Sequence, residues 1–257
     1  MKAMLLSAGY GTRLGQLTET VPKPMLPIAG KPLLAHLIAY VASHGFDEVM
    51  INLHYRPEMI RDYFGDGAVF GVKLHYSHEE TLLGTAGALK KVEWFFADVD
   101  EFLVVYGDLL IDQDLALLLA LHRRERAAAT LLVHQRHDSN SLIRVGPDQR
   151  ILDFIERPTD AERRAARYPW VNSGVQLLSP RLLDCIPADR PADLPRDLYV
   201  PLVREERFFA LPLSGYRCAI DSPERYRQSQ SDAATLFLPD RTRARNRPGI
   251  GRAVWPG

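Results

Sequence analysis

The chain has 257 residues, of which 46% are hydrophobic and 25% are charged, the balance of an ordinary soluble globular protein. Its 32 basic and 32 acidic residues cancel, which argues against nucleic acid as a partner, and the lack of a run of about 18 apolar residues argues against a membrane span. The two cysteines form no C-x-x-C pair and the apolar start of the chain is too short for a signal peptide, so we expect a cytoplasmic protein.

The first half of the chain alternates strand patterns with helix patterns. In order, the predicted elements are strand AMLLSA, helix KPLLAHLIAYVASHG, strand DEVMINL, helix PEMIRDYFG, strand VKLHYS, helix TAGALKKVEWFF, strand EFLVVYGD and helix DLALLLALHRRER. In the first helix, Leu34, Leu37 and Val41 recur at helical spacing, and Gly45 marks its end. Strands that alternate with helices of this size predict βαβ units and a mainly parallel sheet.

After residue 128 the helices between the strands become short. The predicted strands are ATLLVHQ, SLIRVG, RILDFIE, VNSGVQLLS and FFALPLS, and a last helix follows in SPERYRQSQSDAATLF. We therefore expect one α/β domain over residues 1–238, with a mixed sheet that continues from the first half. Residues 239–257 contain five arginines and show no periodicity, which predicts a flexible Arg-rich tail.

A glycine-rich turn directly follows the first strand. Gly9 and Gly11 allow the backbone to approach a ligand closely, and successive N–H groups in such a turn bind phosphate. The turn has neither the third glycine of the G-x-G-x-x-G fingerprint nor the G-K-[ST] of a P-loop. Ten residues after Arg13, Lys23 stands between two prolines, which favour an extended backbone at the lysine and direct its charge to one place.

The opening stretch SAGYGTRLGQLTETVPKPMLPIAGKP resembles the signature of the sugar-1-phosphate nucleotidyltransferases, G-x-G-T-R-L followed by P-K-P and two hydrophobic residues. Five further segments match this family in order: LLGTAGALKK, VVYGDLLID, FIERP, VNSGVQLLSP and AIDSPERYRQSQSD. Together they cover most of residues 1–235, which makes the ordered set far more specific than any one motif. The resemblance implies a single Rossmann-like α/β domain of the nucleotide-diphosphosugar transferase type, with a mixed, mainly parallel sheet sandwiched by helices.

The same resemblance implies Mg²⁺-dependent attack of a sugar 1-phosphate on the α-phosphorus of an NTP, with pyrophosphate leaving. Arg13 would hold the leaving pyrophosphate through its fork of donors, and Lys23 would lie between the α-phosphate and the sugar phosphate. Asp108 and Asp221 would bind the Mg²⁺. These four residues form the predicted catalytic set, and NTP and sugar 1-phosphate are the predicted partners.

Other motif residues are implied to contact the substrates. Glu156 would accept hydrogen bonds from sugar hydroxyls, and Arg157, where the family has lysine, would bind the sugar phosphate. The predicted substrate-binding set is Ser7, Ala8, Gly9, Gly11, Thr12, Gly84, Thr85, Gly87, Gly107, Glu156, Arg157 and Asn172. Tyr10 departs from the family pattern, because it stands where a small or basic residue is usual, which predicts a differently shaped nucleotide loop.

Substrate identity stays open at this point. The segments LGTAGALKK and DLPRDLYVPLV most resemble guanylyltransferases that act on mannose or heptose 1-phosphates, with uridylyl or thymidylyl transfer to a hexose 1-phosphate as the alternative. A phosphocholine cytidylyltransferase would need an aromatic or acidic box for the quaternary ammonium, to which Trp170 near Asn172 could belong. A non-catalytic nucleotide-sugar sensor and a homo-oligomer are also left open.

Overall fold

The computed structural model describes residues 1–137, 139–166 and 170–236, so the predicted tail at 239–257 lies outside the described residues. The strands are β1 (Lys2–Leu6), β2 (Pro27–Ile28), β3 (Lys31–Pro32), β4 (Glu48–Leu53), β5 (Lys73–His78), β6 (Phe102–Tyr106), β7 (Leu109–Asp112), β8 (Ala129–Gln135), β9 (Ser141–Val145), β10 (Ile151–Glu156), β11 (Trp170–Leu178), β12 (Phe208–Pro212) and β13 (Tyr216–Ala219). The α-helices are α1 (Leu33–Ser43), α2 (Pro57–Phe64), α3 (Gly84–Lys91), α4 (Ala116–Glu125), α5 (Asp160–Ala165), α6 (Val200–Leu202) and α7 (Pro223–Leu236).

Nine strands form one mixed sheet in the order β10–β9–β11–β6–β1–β4–β5, with β8 beside β11 and β12 beside β8. Strand β1 pairs in parallel with β4 and β6, β4 pairs in parallel with β5, and β12 pairs in parallel with β8. Strand β11 runs antiparallel to β6, β8 and β9, and β10 runs antiparallel to β9. Within this sheet only β10 and β11 therefore run against the common direction, which confirms the predicted mixed, mainly parallel sheet.

Side chains of the central strands alternate between two apolar layers. Ala3 and Leu5 of β1 pack into the layer that α1, α2 and α4 cover, whereas Met4 packs into the opposite layer, with α3 and residues 182–203. Burial on both faces explains why these strands have nearly continuous apolar sequences. The helices thus sandwich the sheet, as predicted, and no helix of the described ranges has the length and apolar character needed to cross a bilayer.

A small second sheet brings together the two chain segments that carry the predicted metal-binding aspartates, Asp108 and Asp221. Strand β7 pairs antiparallel with β13, with Leu109 opposite Ala219. Asp108 lies in the bend between β6 and β7, and Asp221 follows two residues after the end of β13. The backbone N–H of Ile220 donates to the Asp108 carbonyl oxygen at 2.8 Å, which holds the two aspartate-bearing segments together.

Candidate active site

A cavity of about 270 Å³ lies beside the carboxyl ends of the parallel strands β1, β4, β5 and β6. Ligands bind at this edge of open α/β sheets. Eight predicted site residues line the cavity: Ser7, Ala8, Gly9, Lys23, Gly84, Thr85, Gly107 and Asp108. The structure therefore brings together the glycine-rich turn, the proline-flanked lysine and the first predicted metal ligand.

The ends of β1 and β6 approach so closely at Gly107 that no side chain fits there. The Gly107 N–H donates to the Leu6 carbonyl oxygen at 2.8 Å, and a Cβ at this position would lie 2.4 Å from Ser7 Oγ. Ser7 Oγ is buried and has no hydrogen-bond partner among the described residues. A buried hydroxyl of this kind in a cavity wall is available to a bound ligand.

Two glycine substitutions should separate a packing effect from a binding effect. Gly107→Ala is expected to lower the free energy of unfolding by about 1–3 kcal/mol, because its Cβ would overlap Ser7 Oγ and the Leu6 carbonyl. Gly9→Ala should leave that energy unchanged, since no atom lies within 4 Å of a Cβ there, and should weaken nucleotide binding by narrowing the cavity. Urea unfolding and calorimetric nucleotide titration measure both effects; wild-type stability of Gly107→Ala would contradict the packing argument.

Each predicted catalytic cation lies against a predicted metal-binding carboxylate. Lys23 Nζ is 2.8 Å from Asp108 Oδ2, and the two side chains are only 12% and 26% exposed. Arg13 Nη1 is 3.7 Å from Asp221 Oδ2, and Arg225 Nε is 3.4 Å from the other oxygen of this carboxylate. The four predicted catalytic residues thus form two ion pairs, and the two carboxylates supply the hard oxygen ligands that could hold a divalent cation.

The conformation at Lys23 differs from the extended backbone that the flanking prolines predict. Lys23 is the first residue of a single 3₁₀ turn, Lys23–Met25, and only Pro22 before it is extended. The Met25 N–H donates to the Pro22 carbonyl oxygen at 2.8 Å, and this bond closes the turn. Gly11 has a φ of +70° and lies so near the lysine that a Cβ on it would be 3.1 Å from Lys23 Cβ.

A second cavity of about 670 Å³ adjoins the first and shares Thr85, Tyr106 and Asp193 with it. The predicted sugar-binding residues Glu156 and Arg157 line this second cavity. Burial raises the pKa of the Glu156 carboxyl above its usual value, and the positive charge of Arg157 opposes this effect. Arg157 has a φ of +54°, unusual for a residue with a side chain, and its N–H donates to the Asn140 carbonyl at 2.6 Å.

Some predicted site residues lie outside both cavities: Gly11, Thr12, Arg13, Gly87, Asn172 and Asp221. Gly87 belongs to α3, and its N–H donates to the Ala192 carbonyl oxygen at 3.0 Å. The side chain of Asn172 bonds within its own strand, accepting from the Gly174 N–H at 2.9 Å and donating to Gln176 at 3.3 Å. Gly87 thus ties α3 to the residue before Asp193, which lines both cavities, whereas the described bonds of the Asn172 side chain stay within β11.

A hydrogen-bond chain in the wall of the first cavity, through Asn52 and Glu79, was not predicted from the sequence. Asn52 Oδ1 accepts from the Ser7 N–H at 2.7 Å, and Asn52 Nδ2 donates to Glu79 Oε1 at 2.8 Å. The other Glu79 oxygen accepts from the Leu83 N–H at 2.9 Å, and Glu79 is 1% exposed. A polar residue at the end of an apolar strand, as at Asp108, is the signal that could have indicated Asn52 and Glu79.

Arg217 is a further cation that the motifs did not indicate. Arg217 lies on β13, and its Nε donates to the carbonyl oxygen of Ser173 on β11 at 2.8 Å. Burial lowers the pKa of the Arg217 guanidinium, and the negative charge of Asp108 opposes this effect. The Arg217 guanidinium therefore contributes positive charge near Asp108, and its hydrogen bond fixes it to β11.

Comparison with known proteins places these residues in a family. A sequence model for the family described as "Nucleotidyl transferase" matches residues 2–207. A UTP–glucose-1-phosphate uridylyltransferase of Synechocystis sp. is 38% identical over 218 residues, which are 79% of this chain and 55% of the relative. A mannose-1-phosphate guanylyltransferase of Mycobacterium tuberculosis is 31% identical over 241 residues, 92% of this chain and 66% of the relative. The chain thus spans between half and two thirds of the length of these curated relatives.

Solved structures share the fold at low sequence identity. A putative glucose-1-phosphate thymidylyltransferase from Bacillus anthracis has a TM-score of 0.82 at 18% identity, covering 93% of this chain and 98% of its own. A UDP-glucose pyrophosphorylase complexed with UDP-glucose has a TM-score of 0.77 at 20% identity, with coverages of 91% and 98%. At these identities the likeness shows the fold alone. The match to the family model and the 38% identical relative show that the chain belongs to the nucleotidyl transferase family, as the sugar-1-phosphate nucleotidyltransferase motifs indicate.

Proposed function

We propose that the chain transfers a nucleotidyl group from an NTP to a sugar 1-phosphate in an Mg²⁺-dependent reaction, with release of pyrophosphate. The observation that carries this proposal is the Lys23–Asp108 ion pair in the wall of the first of two adjoining cavities. The Arg13–Asp221 pair lies outside the cavities, and its aspartate is on the segment that is hydrogen-bonded to Asp108 through Ile220. Two anionic substrates must be held together during such a transfer, so the reaction requires positive charge and positioning and little covalent work by the protein.

The two cavities suit the two substrates. The nucleotide would occupy the first cavity. There Gly9 lets the nucleotide approach the backbone closely, and the Ser7 hydroxyl, which has no partner among the described residues, can donate a hydrogen bond to it. The sugar would occupy the second cavity, where the Glu156 carboxylate can accept hydrogen bonds from its hydroxyls. Because Thr85 and Tyr106 line both cavities, the reacting phosphates would meet at their common boundary.

The charged residues would exchange partners when the substrates bind. The Lys23 ammonium would leave Asp108 to donate to the reacting phosphates, and the Arg13 guanidinium would leave Asp221 for the departing pyrophosphate. Asp108 and the Asp221 oxygen that Arg13 leaves would then be available to hold Mg²⁺, a hard cation that takes oxygen ligands. The bound metal would supply charge neutralisation and orientation of the phosphates.

For the base we propose guanine, with a mannose- or heptose-type sugar 1-phosphate as acceptor. The LGTAGALKK segment supports this choice, as do mannose-1-phosphate guanylyltransferases at 31% identity from Mycobacterium tuberculosis and, as a probable one, at 30% from Oryza sativa. The alternative is UTP with glucose 1-phosphate, which the 38% identical uridylyltransferase of Synechocystis sp. favours.

The test crosses GTP, UTP, dTTP, CTP and ATP with mannose, heptose, glucose and N-acetylated sugar 1-phosphates and phosphocholine, and measures pyrophosphate release with Mg²⁺. We expect the strongest release with GTP and a mannose or heptose 1-phosphate. A maximum with UTP and glucose 1-phosphate would establish the alternative. No release in any combination, with nucleotide-sugar binding still detectable by calorimetry, would replace the proposal with a sensor.

A further inference from the structure

The tip of the glycine-rich turn carries a tyrosine with a fixed partner. Tyr10 is 46% exposed, yet its hydroxyl lies 2.6 Å from His54 Nε2, and the two rings meet edge to face with centroids 4.9 Å apart. An exposed aromatic side chain with both a hydrogen bond and a ring contact is held in one orientation. Tyr10 thus joins the turn after β1 to the residue that follows β4.

His54 connects Tyr10 to Glu79, which lines the first cavity. Its Nδ1 lies 2.7 Å from the Glu79 carbonyl oxygen, which can only accept, so Nδ1 carries a hydrogen. In the neutral ring, Nε2 is then the acceptor for the Tyr10 hydroxyl. The hydrogen-bond path Tyr10–His54–Glu79 therefore crosses from the glycine-rich turn to the end of β5.

A second hydrogen-bond path also joins the glycine-rich turn to Glu79. It runs from the Ser7 N–H through Asn52 to the Glu79 carboxylate. The base of the turn is thus fixed at Ser7 and its tip at Tyr10, with Gly9 between them and Gly11 directly after. After the tip, the Gly11 carbonyl oxygen accepts from the Leu14 N–H at 2.9 Å and from the Thr18 hydroxyl at 3.0 Å. Glycine loses more conformational freedom on ordering than any other residue, so without the Tyr10 path the segment around Gly9 would be held only at its two ends, Ser7 and Gly11.

We propose that Tyr10 is a positioning residue, which through His54 fixes the glycine-rich turn against Glu79 before the nucleotide binds. The inference rests on the proposed function, because the ordered turn is the one that would receive the NTP. If the turn is already ordered in the free protein, NTP binding costs no further conformational entropy in the turn. The Tyr10–His54–Glu79 tether therefore strengthens NTP binding. The sugar 1-phosphate would bind in the other cavity, which neither Tyr10 nor His54 lines, so its binding should not depend on the tether.

The test compares Tyr10→Phe, His54→Phe and the double variant with wild type. Tyr10→Phe keeps the ring and removes only the hydroxyl, so hydrogen exchange of the peptide covering residues 7–13 should become faster in the free protein. The KM for NTP should rise about 3- to 10-fold, the value of one hydrogen bond, with kcat and the KM for sugar 1-phosphate unchanged. Adding Tyr10→Phe to His54→Phe should cause no further change. Tyr63→Phe, an exposed tyrosine on α2, is the matched control and should behave as wild type.

The exchange measurement separates failure of this inference from failure of the proposed function. It uses the free protein and needs no turnover, so unchanged exchange of residues 7–13 in Tyr10→Phe overturns the inference even if wild type is inactive. In an active wild type, an equal rise of both KM values would also overturn it, because a tether of the nucleotide turn should not affect the sugar. Faster exchange with a rise in the KM for NTP alone would support it.

Discussion

Replacement of Lys23 by alanine is expected to lower kcat by about 10²–10³-fold, the loss typical when one preorganised donor to a reacting group is removed. The ammonium lies 2.8 Å from Asp108 in the wall of the first cavity, where only 12% of the lysine side chain is exposed. Alanine removes this fixed positive charge from the cavity wall. Pyrophosphate release at saturating substrates measures the effect, and circular dichroism reports whether the fold is intact.

Lys31→Ala is the matched control, since Lys31 is exposed on β3 and lines neither cavity. It should keep wild-type turnover. If Lys23→Ala loses its folded spectrum, Lys23 is a structural lysine that holds the Asp108 bend. If Lys23→Ala folds and turns over at the wild-type rate, the role in phosphate binding is wrong.

Asp108→Asn is expected to remove most metal-dependent turnover, again about 10²–10³-fold, which corresponds to the several kcal/mol that a bound metal supplies. Asparagine keeps the shape and one oxygen of the side chain but loses the negative charge that attracts Mg²⁺. The Mg²⁺ concentration for half-maximal pyrophosphate release should also rise. A titration of turnover with Mg²⁺ at saturating NTP measures both effects.

Asp112→Asn tests whether the effect belongs to the position and not to any aspartate of this segment. Asp112 is exposed at the end of β7, four residues after Asp108, and it lines neither cavity. It should show the wild-type Mg²⁺ dependence. Near-normal turnover of Asp108→Asn, with an unchanged Mg²⁺ requirement, would remove Asp108 from the metal site.

The order of strands and helices in the first half could be predicted because their signals are local. The apolar spacing of α1 and the continuous apolar sequence of β1 each lie within a few residues of sequence. The bend at Asp108 was not predicted. The predicted strand EFLVVYGD includes Gly107 and Asp108, whereas the observed strand β6 ends at Tyr106 and Leu109–Asp112 forms a separate strand. That strand pairs with Tyr216–Ala219, more than a hundred residues later, and such a pairing leaves no local pattern.

The candidate site could be predicted where motifs carry it and not where tertiary contacts create it. Lys23 and Asp108 lie in matched motifs, and the structure brings them within 2.8 Å. Asn52 and Glu79 lie in no such motif, and each resembles an ordinary polar residue at a strand end until the structure shows their shared hydrogen bond. The 3₁₀ turn at Lys23 depends on a backbone bond that outweighs the local preference for an extended residue before proline.

The most direct measurement is phosphorus NMR of the purified chain with Mg²⁺, an NTP and a sugar 1-phosphate from the most active combination. We predict that signals of the nucleotide sugar and of pyrophosphate grow together in equal amounts, while both substrates disappear at the same rate. Addition of EDTA should stop all four changes. Nucleotide consumption without a nucleotide sugar, or nucleotide-sugar binding with no new phosphorus signal, would contradict nucleotidyl transfer at this site.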